Sequence, residues 1–239
     1  MASSIIIATF FSIGFFFESV FGFGGGLIAY SFLGFFIDIK KMIIAGLYVG
    51  TLASGYIALS SLKHFDQKIF IKLIPFSIIG SIIGIYIFII LSSQILAFSF
   101  AIILLILSLR MLFFEKYKFP KIIKNKFLLI GAIAQGSFGV GGPFIVSVIS
   151  QDFANKSSLR TTMAMFFLLV NILRFFQLIF ANSLDIIFIK EIWWIIIPVF
   201  FAIYCGHLVH IKISDKYFKI GIATITLLAS FNFIFKAIK

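Results

Sequence analysis

The sequence has few acidic residues, few prolines and one cysteine. Its 239 residues include only 8 Asp and Glu, 4 prolines and the single Cys205. One cysteine excludes an intramolecular disulfide. No GxxxxGK[ST] phosphate-binding loop occurs, and no polar stretch is long enough for a soluble domain. The N-terminus carries no Lys or Arg before its first apolar run, so we do not expect a removable signal there.

What the sequence has instead is apolar surface. Hydrophobic residues make up 62% of the chain, charged residues only 12%, and the mean hydropathy is +1.20. These values predict an integral membrane protein. Apolar runs of about 20 residues fit helices that cross a bilayer, and the period-2 alternation of a barrel is absent. The prediction is therefore an all-α fold, with residues 1–239 forming one transmembrane domain.

Eight apolar segments are predicted along the chain. They cover residues 3–17 with 27–37, and then 42–62, 69–90, 95–114, 127–149, 161–181, 192–209 and 220–235. The first is too long for one crossing, and it is interrupted by glycines. We therefore expect it to be a broken or re-entrant helix whose halves are each shorter than a span.

Two glycine motifs of nearly identical sequence interrupt the first and fifth segments. FGFGGGLI occupies residues 21–28 and FGVGGPFI residues 138–145, and Gly14 matches Gly131 at the same offset. This pattern predicts two homologous repeats, about 1–118 and 119–239. Glycines can also serve only close helix packing. Paired breaks within apolar segments favour a transporter site near the membrane midplane.

The basic loop residues indicate how the repeats are oriented. If both broken segments are hairpins, the Lys and Arg residues other than Arg174 divide 5 against 14 between the two faces; if both cross, they divide 7 against 12. The first division is the stronger positive-inside bias, so we predict an inverted repeat built on hairpins. This distribution also explains the net charge of +12 without a nucleic-acid partner.

A helix that begins after a glycine turn exposes free N–H groups and binds anions. Both breaks therefore predict contacts to a small anion. The candidate substrate-binding residues at the breaks are Gly22, Gly24, Gly25, Gly26, Gln135, Gly139, Gly141, Gly142 and Pro143.

These motifs resemble the TauE/SafE sulfite exporter family of membrane permeases. The resemblance rests on GFGGG at 22–26, GSFGVGGPF at 136–144 and LRTTMAMFFLLVNILRFF at 159–176, and it extends over essentially the whole chain. It implies transport of sulfite, sulfonates or related sulfur-containing anions across the cytoplasmic membrane, which makes the chain a multi-pass inner-membrane protein. The first motif lacks the proline that family members often carry a few residues later.

Few ionisable residues lie inside the apolar segments, where each is costly. Arg174, with Asn171 one turn before it, is a candidate substrate counterion; the alternative is a structural pair or snorkelling. Glu18 is a candidate proton carrier, or it accepts hydrogen bonds from the hairpin's own N–H groups. Ser54 and Gln177 either line the cavity or bond between helices.

The remaining polar residues predict no further chemistry. Cys205, His207 and His210 are too few for a metal site, and Trp193 and Trp194 are typical of a membrane interface. We predict no cofactor and no enzymatic activity. The chain is therefore predicted to be a secondary transporter that works by alternating access. The alternatives are a membrane-embedded enzyme and a non-transporting subunit of a membrane complex.

Overall fold

The computed structural model describes residues 2–21, 24–113, 121–208 and 215–238, and within these ranges the chain is helical and forms no strand. Eleven α-helices are described there: α1 (Ala2–Phe21), α2 (Gly25–Leu33), α3 (Ile39–Ser60), α4 (Gln67–Ile90), α5 (Ser93–Phe113), α6 (Lys121–Phe138), α7 (Gly142–Ile149), α8 (Lys156–Phe180), α9 (Ile186–Ile192), α10 (Ile196–Leu208) and α11 (Asp215–Ile238). Three short 3-10 turns lie at Leu62–His64, Ser150–Asp152 and Trp193–Ile195.

Six helical stretches among the described residues are long and apolar enough to cross a membrane. They are Ser3–Val20, Ile39–Ser60, Gln67–Ile90, Ser93–Arg110, Ser157–Phe180 and Ile186–Leu208, the last of which joins α9 to α10. The prediction of an all-α membrane protein is confirmed. The count of eight segments and the two homologous repeats stay predictions.

Side-chain caps fix where several of these helices begin. The side chains of Asp38, Asp66, Asn155 and Asp185 each accept a hydrogen bond from a backbone N–H in the first turn, at the start of α3, α4, α8 and α9. Such caps satisfy N–H groups that have no partner within the helix. Several of the chain's few acidic residues are therefore used to start helices.

The first glycine motif joins two helices that run in opposite directions. The Gly25 N–H donates to Glu18 across the turn, with 2.8 Å between nitrogen and oxygen. Further along α2, Phe32 stacks on Phe10 of α1, with ring centroids 5.0 Å apart. Because later residues of α2 contact earlier residues of α1, the chain folds back on itself as a hairpin.

The second motif forms the same kind of hairpin between α6 and α7. The Gly141 N–H donates to the Gln135 side chain at 2.8 Å. At the other end of the pair, Lys124 of α6 forms an ion pair with Asp152, just beyond α7, with 2.6 Å between nitrogen and oxygen. α7 therefore runs back along α6, as α2 does along α1.

The expectation that both halves of each broken segment are short was wrong. α1 has 20 residues and α6 has 18, about 30 and 27 Å at the usual helical rise, whereas α2 has 9 and α7 has 8. α1 continues past the predicted end of its apolar run because Glu18, which interrupts that run, is buried with a hydrogen-bond partner.

Glycines bring the two hairpins into close contact with other helices. α1 packs on α10 and α6 packs on α4, while α3 packs on α8 and α5 on α11. A Cβ added at Gly84 or Gly80 of α4 would overlap the backbone of α6, and one added at Gly206 of α10 would lie 2.6 Å from the Phe16 carbonyl oxygen of α1. These glycines serve close packing, the role that small residues commonly have in membrane helices.

Candidate functional site

Each hairpin turns at a glycine whose backbone is left-handed. Gly24, which precedes α2, has φ 95° and ψ 0°, and Gly139, between α6 and α7, has φ 79°. Side chains with a Cβ rarely adopt these angles, so glycine is required at both positions. Gly22, the predicted counterpart of Gly139 in the first motif, lies outside the described residues.

The two turns meet at the centre of the helix bundle. A Cβ placed on Gly26, in the first turn of α2, would lie 3.4 Å from the carbonyl oxygen of Gly139. Beside this contact lies a small cavity of about 40 Å³. That volume has room for about three water molecules. The ends of both hairpins therefore form a single shared site.

Most of the predicted site residues line this cavity. They are Glu18, Gly24, Gly26, Gln135, Gly139, Gly142, Pro143 and Asn171. Gly25, Gly141 and Arg174 are predicted residues that do not line it. Gly141 instead lies so close to Gly131 of α6 that an added Cβ would overlap the Gly131 carbonyl oxygen.

Glu18 and Gln135 have matching roles in the two hairpins. Each is buried, 7% and 4% exposed, and each accepts a hydrogen bond from a glycine N–H at the turn. Glu18 also interacts with the N–H of Gly26. When ionised, Glu18 offsets the positive N-terminal end of α2, whereas the neutral Gln135 leaves that of α7 uncompensated.

Asn171 of α8 adds a free amide to the cavity. It is 4% exposed, and its side chain makes no hydrogen bond to any residue that the structure describes. A buried carboxamide without a partner is costly, and such a group commonly marks a place where another molecule supplies the hydrogen bonds. Asn171 therefore points to a polar ligand in the cavity.

Arg174 lies behind the Gly139 turn, outside the cavity lining. Its side chain is fully buried and donates one long hydrogen bond, of 3.4 Å, to the Ser137 carbonyl, while its Nε has no partner among the described residues. Its Nη1 and the Tyr30 hydroxyl each lie 3.3 Å from the position of a Cβ on Gly139. The Arg174 guanidinium, which has little hydrogen bonding, is therefore separated from the cavity by the backbone of the Gly139 turn.

Several cavity residues were not identified from the sequence. Tyr30 and Phe167 line the cavity, but one tyrosine and one of 35 phenylalanines carry no distinguishing signal. Gly46 and Gly50 of α3 also line it, and their spacing of four residues was the available signal. The sequence left two possible roles for Ser54 and Gln177. Ser54 lines the cavity, whereas Gln177 donates a 3.4 Å hydrogen bond to Ser81 between helices.

The residues weighed for a metal site do not form a ligand set in the part of the chain that the structure describes. No group of three His, Cys, Asp or Glu side chains is found there, and His210 lies outside those ranges. Cys205 and His207 lie near the end of α10. Trp193 is largely exposed at the junction of α9 and α10, where its carbonyl accepts a 2.9 Å hydrogen bond from Tyr48.

Two hairpins that meet at a buried polar cavity, within a bundle of membrane-length helices, are typical of a multi-pass membrane transporter. The family model described as sulfite exporter TauE/SafE matches residues 6–233, nearly the whole chain. The chain therefore belongs to the TauE/SafE family and is a membrane transporter of a small anion, as the motifs indicated. No curated protein and no solved structure gives a significant match.

Proposed function

We propose that this chain is a secondary transporter of sulfite, or of a closely related sulfur oxyanion, in the cytoplasmic membrane, and that the anion binds where the two hairpins meet. The observation that carries the proposal is the cavity shared by both glycine turns, with the unpartnered amide of Asn171 facing it. The exporter family to which the chain belongs supplies the substrate class.

The chemistry of the cavity suits an anion better than a cation. The first turns of α2 and α7 line it through Gly26 and Gly142. Gln135 and Asn171 each carry an amide NH2 donor. Arg174 adds positive potential from behind the Gly139 turn. Glu18 is the exception, and its carboxylate is already bonded to the Gly25 N–H.

Alternating access is the movement we propose. Each hairpin packs on a helix of the other half, α1 on α10 and α6 on α4, and this reciprocal packing supports an inverted repeat. Rocking the two hairpin assemblies against each other would open the shared cavity to one face at a time. The face with most of the basic loops would be cytoplasmic.

The direct test is uptake by the purified chain in liposomes. Labelled sulfite, sulfate, thiosulfate and a small sulfonate are offered separately, each with and without a pH gradient. Saturable uptake of sulfite, with weaker uptake of an unrelated anion, supports the proposal. If none of the four anions is taken up by well-folded protein, the substrate class is wrong and a role as an assembly subunit gains weight.

Glu18→Gln is expected to keep the fold and to remove proton coupling. The Gln oxygen can still accept the Gly25 hydrogen bond, as Gln135 does in the second hairpin, but the side chain can no longer release a proton. The measurement is uptake of a sulfonate, whose charge does not change over the pH range used, with and without a pH gradient. We expect wild-type uptake to respond to the gradient and the variant not to respond.

Glu191→Gln is the matched control, because Glu191 is an exposed acid on α9, outside the cavity. It should behave as wild type. A Glu18→Gln variant that responds to the gradient as wild type does would exclude Glu18 as the proton carrier. Its role would then be limited to the hydrogen bond with Gly25.

A further inference from the structure

Arg160 is a second poorly paired arginine on the helix that lines the cavity. The sequence placed it in a loop, but it lies in the second turn of α8 and is partly buried. Its Nε is buried and has no hydrogen-bond partner among the residues described. Over the same ranges the only direct ion pair joins Lys124 to Asp152, so Arg160 has no carboxylate in contact.

The helix face on which Arg160 lies follows from the geometry of α8. Phe167, Asn171 and Arg174 follow it by 7, 11 and 14 residues, which is close to two, three and four helical turns. All four residues therefore lie on one face of α8, and Phe167 and Asn171 on that face line the cavity. Arg160 and Arg174 thus lie on either side of the cavity, about 21 Å apart along the helix axis.

An electrostatic interaction also places Arg160 on the cavity side of α8. Arg160 interacts electrostatically with Glu18, which lines the cavity from α1. The guanidinium is therefore close enough to the cavity for its charge to act there. It is not in contact with Glu18, so its donors remain available.

Arg160 lies at the same end of the bundle as an open groove, although the groove is on the opposite face of α8. Lys63, His64, Lys68 and Asp66 line this basic groove together with Asn155 and Ser158, and its volume is about 540 Å³. Asp66 caps α4 and is outnumbered by the two lysines, so the net charge of the groove is positive. Ser158 is two residues before Arg160, about 3 Å along the helix axis but on the other side of the helix, so the groove and Arg160 share an end of α8 and not a face.

We propose that Arg160 is a second anion-binding residue, which takes the oxyanion that enters at this end of the bundle and passes it to the cavity at Asn171. This inference rests on the proposed transport function and deepens it. The ligand is a small oxyanion, because a guanidinium binds two of its oxygens at once. Arg160 lies about 10 Å along α8 from Phe167. The anion-binding site at Arg160 is therefore separate from the central cavity.

The test measures sulfite uptake with sulfite offered on one face of the membrane at a time. Membrane vesicles of both orientations are prepared with wild type, Arg160→Gln, Arg160→Lys and Lys68→Gln. With sulfite on the groove face, we expect Arg160→Gln to raise KM at least about tenfold, the size expected for losing a hydrogen bond between charged groups. KM from the opposite face should stay within about twofold. Lys68→Gln removes an exposed charge at the same end of the bundle but on the other side of α8 from Arg160, so it should change neither KM by more than about twofold.

Each other outcome overturns the inference. If KM is unchanged in folded Arg160→Gln while wild-type uptake is intact, the separate site at Arg160 is rejected and the proposed function is retained. An equal rise from both faces places Arg160 in the central site, and an equal rise in Lys68→Gln assigns the effect to general surface charge. No uptake by wild type rejects the proposed function itself. If Arg160→Gln does not fold, Arg160→Lys is the deciding variant. A rise of at least about threefold in its KM from the groove face supports the separate site at Arg160, and an unchanged KM rejects it.

Discussion

Gly142→Leu is expected to abolish anion uptake while the protein stays folded. Gly142 is the first residue of α7 and lines the cavity. Its backbone is not left-handed, so leucine meets only the mild strain of a helical residue before proline. An added Cβ would meet only the ring of Phe167, at 2.9 Å. The rest of the leucine side chain would enter a cavity of about 40 Å³ and leave no room for an anion. Uptake in liposomes should fall to the level of empty vesicles.

Gly55→Leu is the control for this variant. Gly55 lies on α3, outside the cavity lining, and an added Cβ there would be in ordinary contact, 3.6 Å from Leu168. Its uptake should remain within about twofold of wild type. Both variants should elute as single species on gel filtration, with similar melting temperatures. Retained uptake in a folded Gly142→Leu protein would show that the anion does not pass this point.

Arg174→Met is expected to reduce uptake about 100-fold without loss of stability. Arg174 is fully buried and makes one long hydrogen bond, so its charge is poorly compensated. Replacing a buried charge by an apolar residue of similar size is often neutral or stabilising. The loss of positive potential at the cavity should weaken anion binding by about 2–3 kcal/mol, the range for charge-assisted interactions. The measurements are uptake at fixed low sulfite concentration and the melting temperature in detergent.

Two further variants separate charge from packing. Leu178→Met changes a buried residue one turn along α8 without altering charge, and it should affect uptake little. Arg174→Lys keeps the charge and should retain more uptake than Arg174→Met. A strongly lowered melting temperature with normal uptake in Arg174→Met would instead assign Arg174 a structural role.

The features that the sequence predicted best are those that depend on glycine. Gly24 and Gly139 adopt backbone angles that other residues avoid, so the positions of the breaks could be read from residue type alone. Glu18 and Gln135 are separated by the same 117 residues as Gly14 and Gly131. The hydrogen bonds to Gly25 and Gly141 give both residues a shared role. Of the two hypotheses for Glu18, the bond to the hairpin's own N–H groups is confirmed, and proton transfer stays a prediction.

Residues that depend on tertiary contacts could not be found in this way. A span predicted from hydropathy ends at a charged residue. The sixth predicted segment therefore begins after Arg160, and the first apolar run ends before Glu18. Both charged residues lie within helices: Glu18 is buried with a hydrogen-bond partner, and Arg160 is partly buried in the second turn of α8. Tyr30 could not be identified for a similar reason. Only the fold shows that its hydroxyl and Arg174 approach the same turn at Gly139.

The small volume of the cavity has a consequence for which anions can pass. With room for only about three water molecules, it cannot hold an anion together with its hydration shell. A substrate must shed that water on entering, and the cost of desolvation rises steeply with charge. The cavity should therefore select by ease of dehydration, favouring singly charged oxyanions over sulfate dianions of nearly the same shape. The order of uptake across the four anions would reveal such a hydration series.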